Sequence, residues 1–378
     1  MSEFLLNEVC ELIVDCPHTT ANDEGKGFPL VRTPNIGKGR LVYDGMHRVC
    51  EDVYNKRNAR AIPQENDLIF AREATAGNVA LIQKGEKVCL GQRTVLIRPN
   101  QEKVNPAFLT YFLLAPKQQH NLLSTANGAT VAHVNLPTIR NLKIDLPELP
   151  TQHRIASILS RYDSLIENYQ KQIKLLEEAA QRLYKEWFID LHFPRHENTN
   201  IIDGVPEGWE KKKVGDITPI ITGKKDANFG TPDGEYPFFT CSQEPIKAPS
   251  FSFDCAAVLL AGNGDFNVKL YRGRFEAYQR TYVLSPYIDS HLYLLFYTIS
   301  ANMTKLAAGS SGSTIKFLTK GMIDGINLNV PNDEILRSFN KKVEPIQSSR
   351  ESLQSQLRLL TEARDRLLPK LMSGEITI

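Results

Sequence analysis

Apolar residues recur through residues 151–188 in alternating steps of four and three: Ile155, Leu159, Tyr162, Ile166, Tyr169, Ile173, Leu176, Ala180, Leu183 and Trp187. That spacing is the seam of a coiled-coil helix. Charged and amide side chains such as Glu167, Lys171, Glu178, Gln181 and Lys185 fill the other faces. The stripe is therefore narrow, which predicts burial against one partner helix rather than in a broad core. At about 1.5 Å per residue such a helix runs roughly 50 Å.

The partner lies in the same chain. Adding 184 to the numbering (360 − 176) takes Ile155 to Phe339, Leu159 to Val343, Tyr169 to Leu353, Ile173 to Leu357, Leu176 to Leu360 and Leu183 to Leu367, without a gap. Arg350 and Arg364 stand where the first copy has Ile166 and Ala180. Pro345 stands at the place of Arg161 and predicts a break, with a short helix before it and a long one restarting there.

Outside these helices the pattern changes to short apolar runs punctuated by Gly and Asn, at residues 11–14, 28–31, 67–70, 79–82 and 93–97. These read as strands of a mainly β domain, with one helix at 106–115 and a last strand at 142–147. After a polar linker at 193–200 the order repeats. Phe28-Pro29-Leu30-Val31 finds Tyr236-Pro237-Phe238-Phe239, Gln92-Arg93-Thr94 finds Gln279-Arg280-Thr281, and Gly128-Ala129-Thr130-Val131 finds Gly312-Ser313-Thr314-Ile315. The expected fold is α+β: two similar mainly-β domains, 1–150 and 195–331, separated by an antiparallel two-helix coiled coil of residues 151–194 and 332–378.

Composition narrows the class. The chain has 378 residues, 42% of them hydrophobic, and a net charge of +2 that neither demands nor excludes nucleic acid. No apolar run approaches the ~20 residues that span a bilayer. Met1-Ser2-Glu3-Phe4 lacks the basic start and apolar run of a signal peptide, so a cytoplasmic protein without membrane contact is expected. The six cysteines include no CxxC pair. Reduced, packed thiols are the expectation, with no metal.

No phosphate-binding GxxxxGK[ST] loop and no Asn-Pro-Pro-aromatic motif occurs. The GxG at Gly262-Asn263-Gly264 leads into a strand-like run, so a tight turn is expected there rather than a cofactor loop. No catalytic group is therefore assigned. Two related domains on a paired rod suit double-stranded DNA with two separated half-sites, and a rod of this length exceeds one DNA turn of about 34 Å. Side chains suited to bases and phosphates are Arg32, Lys38, Arg40, Arg72, Asn78, Arg93, Thr130 and His133 in the first domain. In the second they are Lys224, Lys225, Asn263, Lys269, Arg272, Arg274, Ser311, Ser313 and Lys316. The small hydroxyl-rich stretch 308–314 suits phosphate, or is a flexible turn without a ligand.

Four strings in order resemble the specificity subunits of Type I restriction-modification enzymes. They are Leu146-Pro147 with Gln152-His153-Arg154-Ile155-Ala156, then Tyr184-Lys185-Glu186-Trp187-Phe188-Ile189-Asp190, then Val205-Pro206-Glu207-Gly208-Trp209-Glu210, and finally Leu371-Met372-Ser373-Gly374-Glu375-Ile376. The resemblance implies that each domain reads half of a bipartite target. It also implies that the helices set the spacing and dock two methylation subunits, and that restriction and translocase subunits join the assembly. S-adenosylmethionine, ATP and Mg sites would belong to those partners, and this chain would be a non-catalytic subunit. A coiled-coil scaffold that binds protein, a single-chain DNA-modifying enzyme and a specificity subunit of a related non-Type I system are the alternatives.

Overall fold

The computed structural model describes residues 2–124, 133–310 and 316–378. It divides into two compact units, Met1–Gln170 with Ser355–Ile378, and Lys171–Gln354. The division cuts both long helices, so each unit holds the start of one and the end of the other.

In the first unit, Cys10–Asp15, Thr94–Pro99, Leu68–Ala71 and Val79–Leu81 form a four-stranded antiparallel sheet in that order. Leu68–Ala71 is buried at every position, a run with both faces covered. A three-stranded sheet places Phe28–Val31 between His47–Val49, antiparallel, and Cys89–Leu90, parallel. Ser2–Leu5 pairs with Lys143–Leu146. The helix Pro106–Leu114 starts where the Asn105 side chain accepts the Phe108 N–H at 2.9 Å, with Pro106 in its first turn. Three further helices, Glu51–Arg57, Pro116–Ser124 and Leu136–Arg140, are not signalled by the apolar pattern.

The second unit follows the same plan with one change. Phe253–Ala261 and Val268–Ala277 form a hairpin of nine and ten residues. Its second strand is long enough to take the parallel pairing with Tyr236–Phe239 that the separate Cys89–Leu90 takes in the first unit. Two sheets thereby become one of six strands. Ile220–Thr222 and Thr281–Leu284 occupy the places of Cys10–Asp15 and Thr94–Pro99. Glu210–Lys213 pairs with Asn327–Val330, and Leu292–Gly309 takes the place of Pro106–Leu114.

The long helices are Leu149–Tyr184 and Asp333–Ser373. The second runs without a break through Pro345, contrary to the interruption predicted there. Pro345 is exposed, while Phe339, Val343 and Gln347 around it are buried. The lost hydrogen bond falls on the solvent side, and packing of the opposite face carries the helix through. The first helix ends in a π-helical turn, Lys185–Ile189, where Asp190 N–H donates to Lys185 O at 2.8 Å. The wider turn accompanies burial of both Trp187 and Phe188.

Each unit by itself shows the two helices running antiparallel. In the first, Ile155, Ala156 and Leu159 share a core with Leu371, and Arg364 Nη1 donates to Asp163 Oδ1 at 2.9 Å. In the second, Trp187 and Phe188 pack their rings on Phe339, and Arg350 Nη1 reaches Glu177 Oε1 at 3.5 Å. The narrow-stripe expectation describes the middle of the seam only. Tyr162, Tyr169, Ile173, Leu176, Leu183, Leu353, Leu357, Leu360 and Leu367 are half-buried. The outer parts of the helices are taken into the domain cores, where Leu159, Ala180, Phe339 and Val343 are sealed from solvent.

Candidate nucleic-acid interface

One end of the four-stranded sheet gathers chemistry in the first unit. Cys10–Asp15 and Leu68–Ala71 finish there, and Val79–Leu81 and Thr94–Pro99 begin there. Antiparallel pairing therefore brings Asp15, Arg72, Asn78 and Arg93 to a single edge. His133 joins them because Val134 N–H donates to Arg72 O at 3.0 Å.

This cluster is ion-paired within itself. Arg72 is buried; its Nη1 donates to Asp15 Oδ2 at 2.7 Å, its Nε to Val134 O at 2.9 Å, and its Nη2 lies 2.8 Å from His133 Nε2. An arginine can only donate, so Nε2 of His133 acts as acceptor and Nδ1–H donates to Glu73 Oε1 at 2.5 Å. Glu73 also holds Arg93, whose backbone sits at φ +62°, a left-handed conformation uncommon for a side-chain-bearing residue. Asn78 donates its amide to Ile36 O at 2.8 Å, which ties the turn to the neighbouring loop.

The remaining first-unit candidates lie on the loop after Phe28–Val31. Arg32 donates to Gly45 O at 3.0 Å and keeps a buried Nε without a partner. Arg40 faces Glu167 of the first long helix at 3.6 Å. Lys38 is exposed and makes no side-chain hydrogen bond among the described residues. Thr130 lies outside the described residues, as do Ser311 and Ser313.

The corresponding end of the second unit is built by the same backbone bonds. Gly262 N–H donates to Arg280 O at 2.8 Å as Arg72 N–H does to Arg93 O at 2.9 Å. Gly223 N–H donates to Thr281 O, and Cys16 N–H to Thr94 O, both at 3.1 Å. Leu318 N–H donates to Gly262 O at 2.8 Å, matching Val134 on Arg72. Lys224, Lys225, Asn263 and Lys316 gather here. Lys224 and Lys316 are exposed, and Lys225 sits 4.4 Å over the Phe229 ring. Lys269 is tied to Ser242 O at 2.8 Å and to Asn267, and burial pulls its ammonium below the usual lysine value.

Two candidates do not join this edge. Arg272 lies farther along its strand, 3.6 Å from Glu344 and 5.1 Å over Tyr293. Arg274 lies farther still, 3.1 Å from Asp254 across the hairpin and 5.0 Å over Phe251. Among the described residues no group of three or more His, Cys, Asp or Glu could hold a metal ion, and no helix is long and apolar enough to cross a membrane. All six thiols are free, and burial pushes the Cys89 thiol up to about 11.

The family model described as "Type I restriction modification DNA specificity domain" matches residues 1–178 and, a second time, residues 206–349. The chain belongs to that specificity family. A stretch of 177 residues is 36% identical to the EcoDI Type I restriction enzyme specificity subunit of Escherichia coli, covering 46% of this chain and 40% of that one. The match to this chain therefore spans less than half the length of that relative. The MjaIX specificity subunit of Methanocaldococcus jannaschii is 24% identical over 94% of this chain and 88% of its own. The crystal structure of the Type I system S subunit from M. genitalium has the same fold, with a TM-score of 0.66 at 16% identity over 98% of this chain and 95% of that one.

Within this specificity chain, sequence reasoning overlooked the acids. Asp15 holds Arg72 and Glu73 holds Arg93, and neither acid carried a pattern of its own. It also passed over Arg280, which the repeat of Gln92-Arg93-Thr94 as Gln279-Arg280-Thr281 could have flagged.

Proposed function

We propose that this chain is the DNA-reading, non-catalytic subunit of a Type I restriction-modification complex. Residues 1–150 and 195–331 each read one half of a split duplex target, and residues 151–194 and 332–378 set the spacing and dock two methylation subunits. A helix of 36 residues is about 54 Å long, against about 34 Å for one DNA turn. Restriction and translocase subunits complete the assembly, and S-adenosylmethionine, ATP and Mg bind on the partners. The complex works in the cytoplasm.

The observation that carries this reading is the repeated loop edge. Two units with the same backbone bonds present different side chains at matching positions, as readers of two different half-sites require. In the first unit Lys38, Arg93 and His133 are proposed to face DNA, with Arg32, Arg40, Arg72 and Asn78 shaping the surface. In the second, Lys224, Lys225, Asn263 and Lys316 face it, with Lys269 holding a loop and Arg272 and Arg274 farther along the hairpin. Thr130, Ser311 and Ser313 are proposed to contact phosphate.

The test uses the full chain, alone and assembled with methylation subunits, on a random duplex pool across a salt series. The chain alone is expected to retain DNA with a log–log salt slope of about −0.9 for each phosphate neutralised, and to leave the DNA chemically unchanged. With the methylation subunits, retention becomes sequence-selective. No retention at low salt in either form would replace this reading with a protein-binding scaffold.

A further inference from the structure

The repeat places Arg280 where the first unit has Arg93, and the two differ in what surrounds them. Arg93 is paired with Glu73. By the shared strand register Asn263 stands at the place of Glu73, Thr222 at that of Asp15, and Phe317 at that of His133. No carboxylate remains at the matching positions. The nearby acids are engaged elsewhere, Asp226 by Gln279 at 2.6 Å and Asp265 by Gln243 at 2.5 Å. The Arg280 side chain is exposed and has no hydrogen-bond or ion-pair partner among the described residues.

Its backbone is fixed while its fork is free. Arg280 O accepts from Gly262, Thr281 N–H donates to Tyr278 O at 2.8 Å, and Thr281 Oγ1 donates to Phe239 O at 3.1 Å. Gly262 packs so closely that an added Cβ would lie 2.4 Å from Arg280 O and 2.9 Å from the Tyr282 ring, so only glycine fits there. A free guanidinium on a rigid strand start, on the same edge as exposed Lys224 and Lys316, has the form of a base reader with phosphate contacts beside it.

We propose that Arg280 is the specificity-determining side chain of the second unit, reading a guanine edge in the major groove through a two-pronged hydrogen bond. This rests on the reading that the second unit recognises a DNA half-site. A guanidinium fork matches the two acceptors of guanine, and a glutamine in its place matches adenine instead.

The experiment selects bound duplexes from a randomised pool with the full chain assembled with methylation subunits, comparing wild type, R280A and R280Q. Wild type is expected to give a split consensus. R280A loses guanine preference at one position of one half by about ten- to hundredfold, the discrimination such a contact supplies. R280Q moves that position towards adenine, and the other half is unchanged in both variants. Because Arg280 has no hydrogen-bond or ion-pair partner among the described residues, the thermal midpoint of each variant should match wild type. Uniform weakening on all sequences would make Arg280 a phosphate contact and overturn the proposal, as would an unchanged consensus. If wild type yields no split consensus, the half-site reading itself falls, and this proposal with it.

Discussion

Asp163 is the residue on which the first unit's helix pairing turns. It is buried on the first long helix, accepts from Arg364 Nη1 at 2.9 Å and accepts the Tyr111 hydroxyl at 2.7 Å. Burial, and then the Asp163 charge, push the Tyr111 hydroxyl above its usual range, so it stays a donor. Arg364 itself is opposed by burial but held protonated by Asp163 and Asp365. Asp163→Ala would leave Arg364 with Asp365 alone and is expected to cost about 2 kcal/mol, below the about 3–5 kcal/mol of a fully buried pair. Asp163→Asn, which still accepts from Tyr111, should cost less. Urea unfolding of the full chain measures both, and an unchanged midpoint for Asp163→Ala would remove this pair from the account. The same scale explains why single arginines were hard to rank. Arg72 and Arg93 both flank strands, but the partners that bury Arg72 lie 57 and 61 residues away in sequence.

At the scale of elements, the seam and its repeat were legible because burial on one helix face imposes a period that no other element shares. Pro345 misled because local propensity was weighed without the packing on the other side of the helix. An interior proline costs about 3 kcal/mol in a helix, partly offset by about 0.4–1 kcal/mol from a stiffer unfolded chain. Pro345→Ala is therefore expected to stabilise the full chain by about 2–3 kcal/mol in urea unfolding. A destabilised variant would show that the proline is needed where it stands. The longer strands were legible from apolar runs and their punctuation, whereas Ser2–Leu5, His47–Val49 and Cys89–Leu90 and the helices Glu51–Arg57 and Pro116–Ser124 were not. Glu51–Arg57 is mostly polar, and in Pro116–Ser124 only Gln118 and Leu122 are buried, so neither leaves a periodic apolar signal.

At the scale of the molecule, the units are not contiguous in sequence. The core of the first unit takes Leu371 as a buried member, with Leu367, Leu368 and Met372 packed beside it, although more than 180 residues separate them from Gln170. A chain ending at Gln354 should therefore loosen the first unit and spare the second. Hydrogen exchange is expected to rise across residues 1–170 and stay unchanged across 171–354. Equal loss of protection in both units would overturn the division.

The residues alone determined that two β-rich halves repeat, that each is followed by a helix with one apolar seam, and that the chain resembles one family. Those features rest on periodicity and order along the chain, which are local or translational. Tertiary structure decided which charges are neutralised, which helix ends sink into cores, and that Arg280, unlike Arg93 with its Glu73, has no counterion among the described residues. Each depends on groups far apart in sequence meeting across a sheet edge, and only closure of the fold brings them within hydrogen-bond reach.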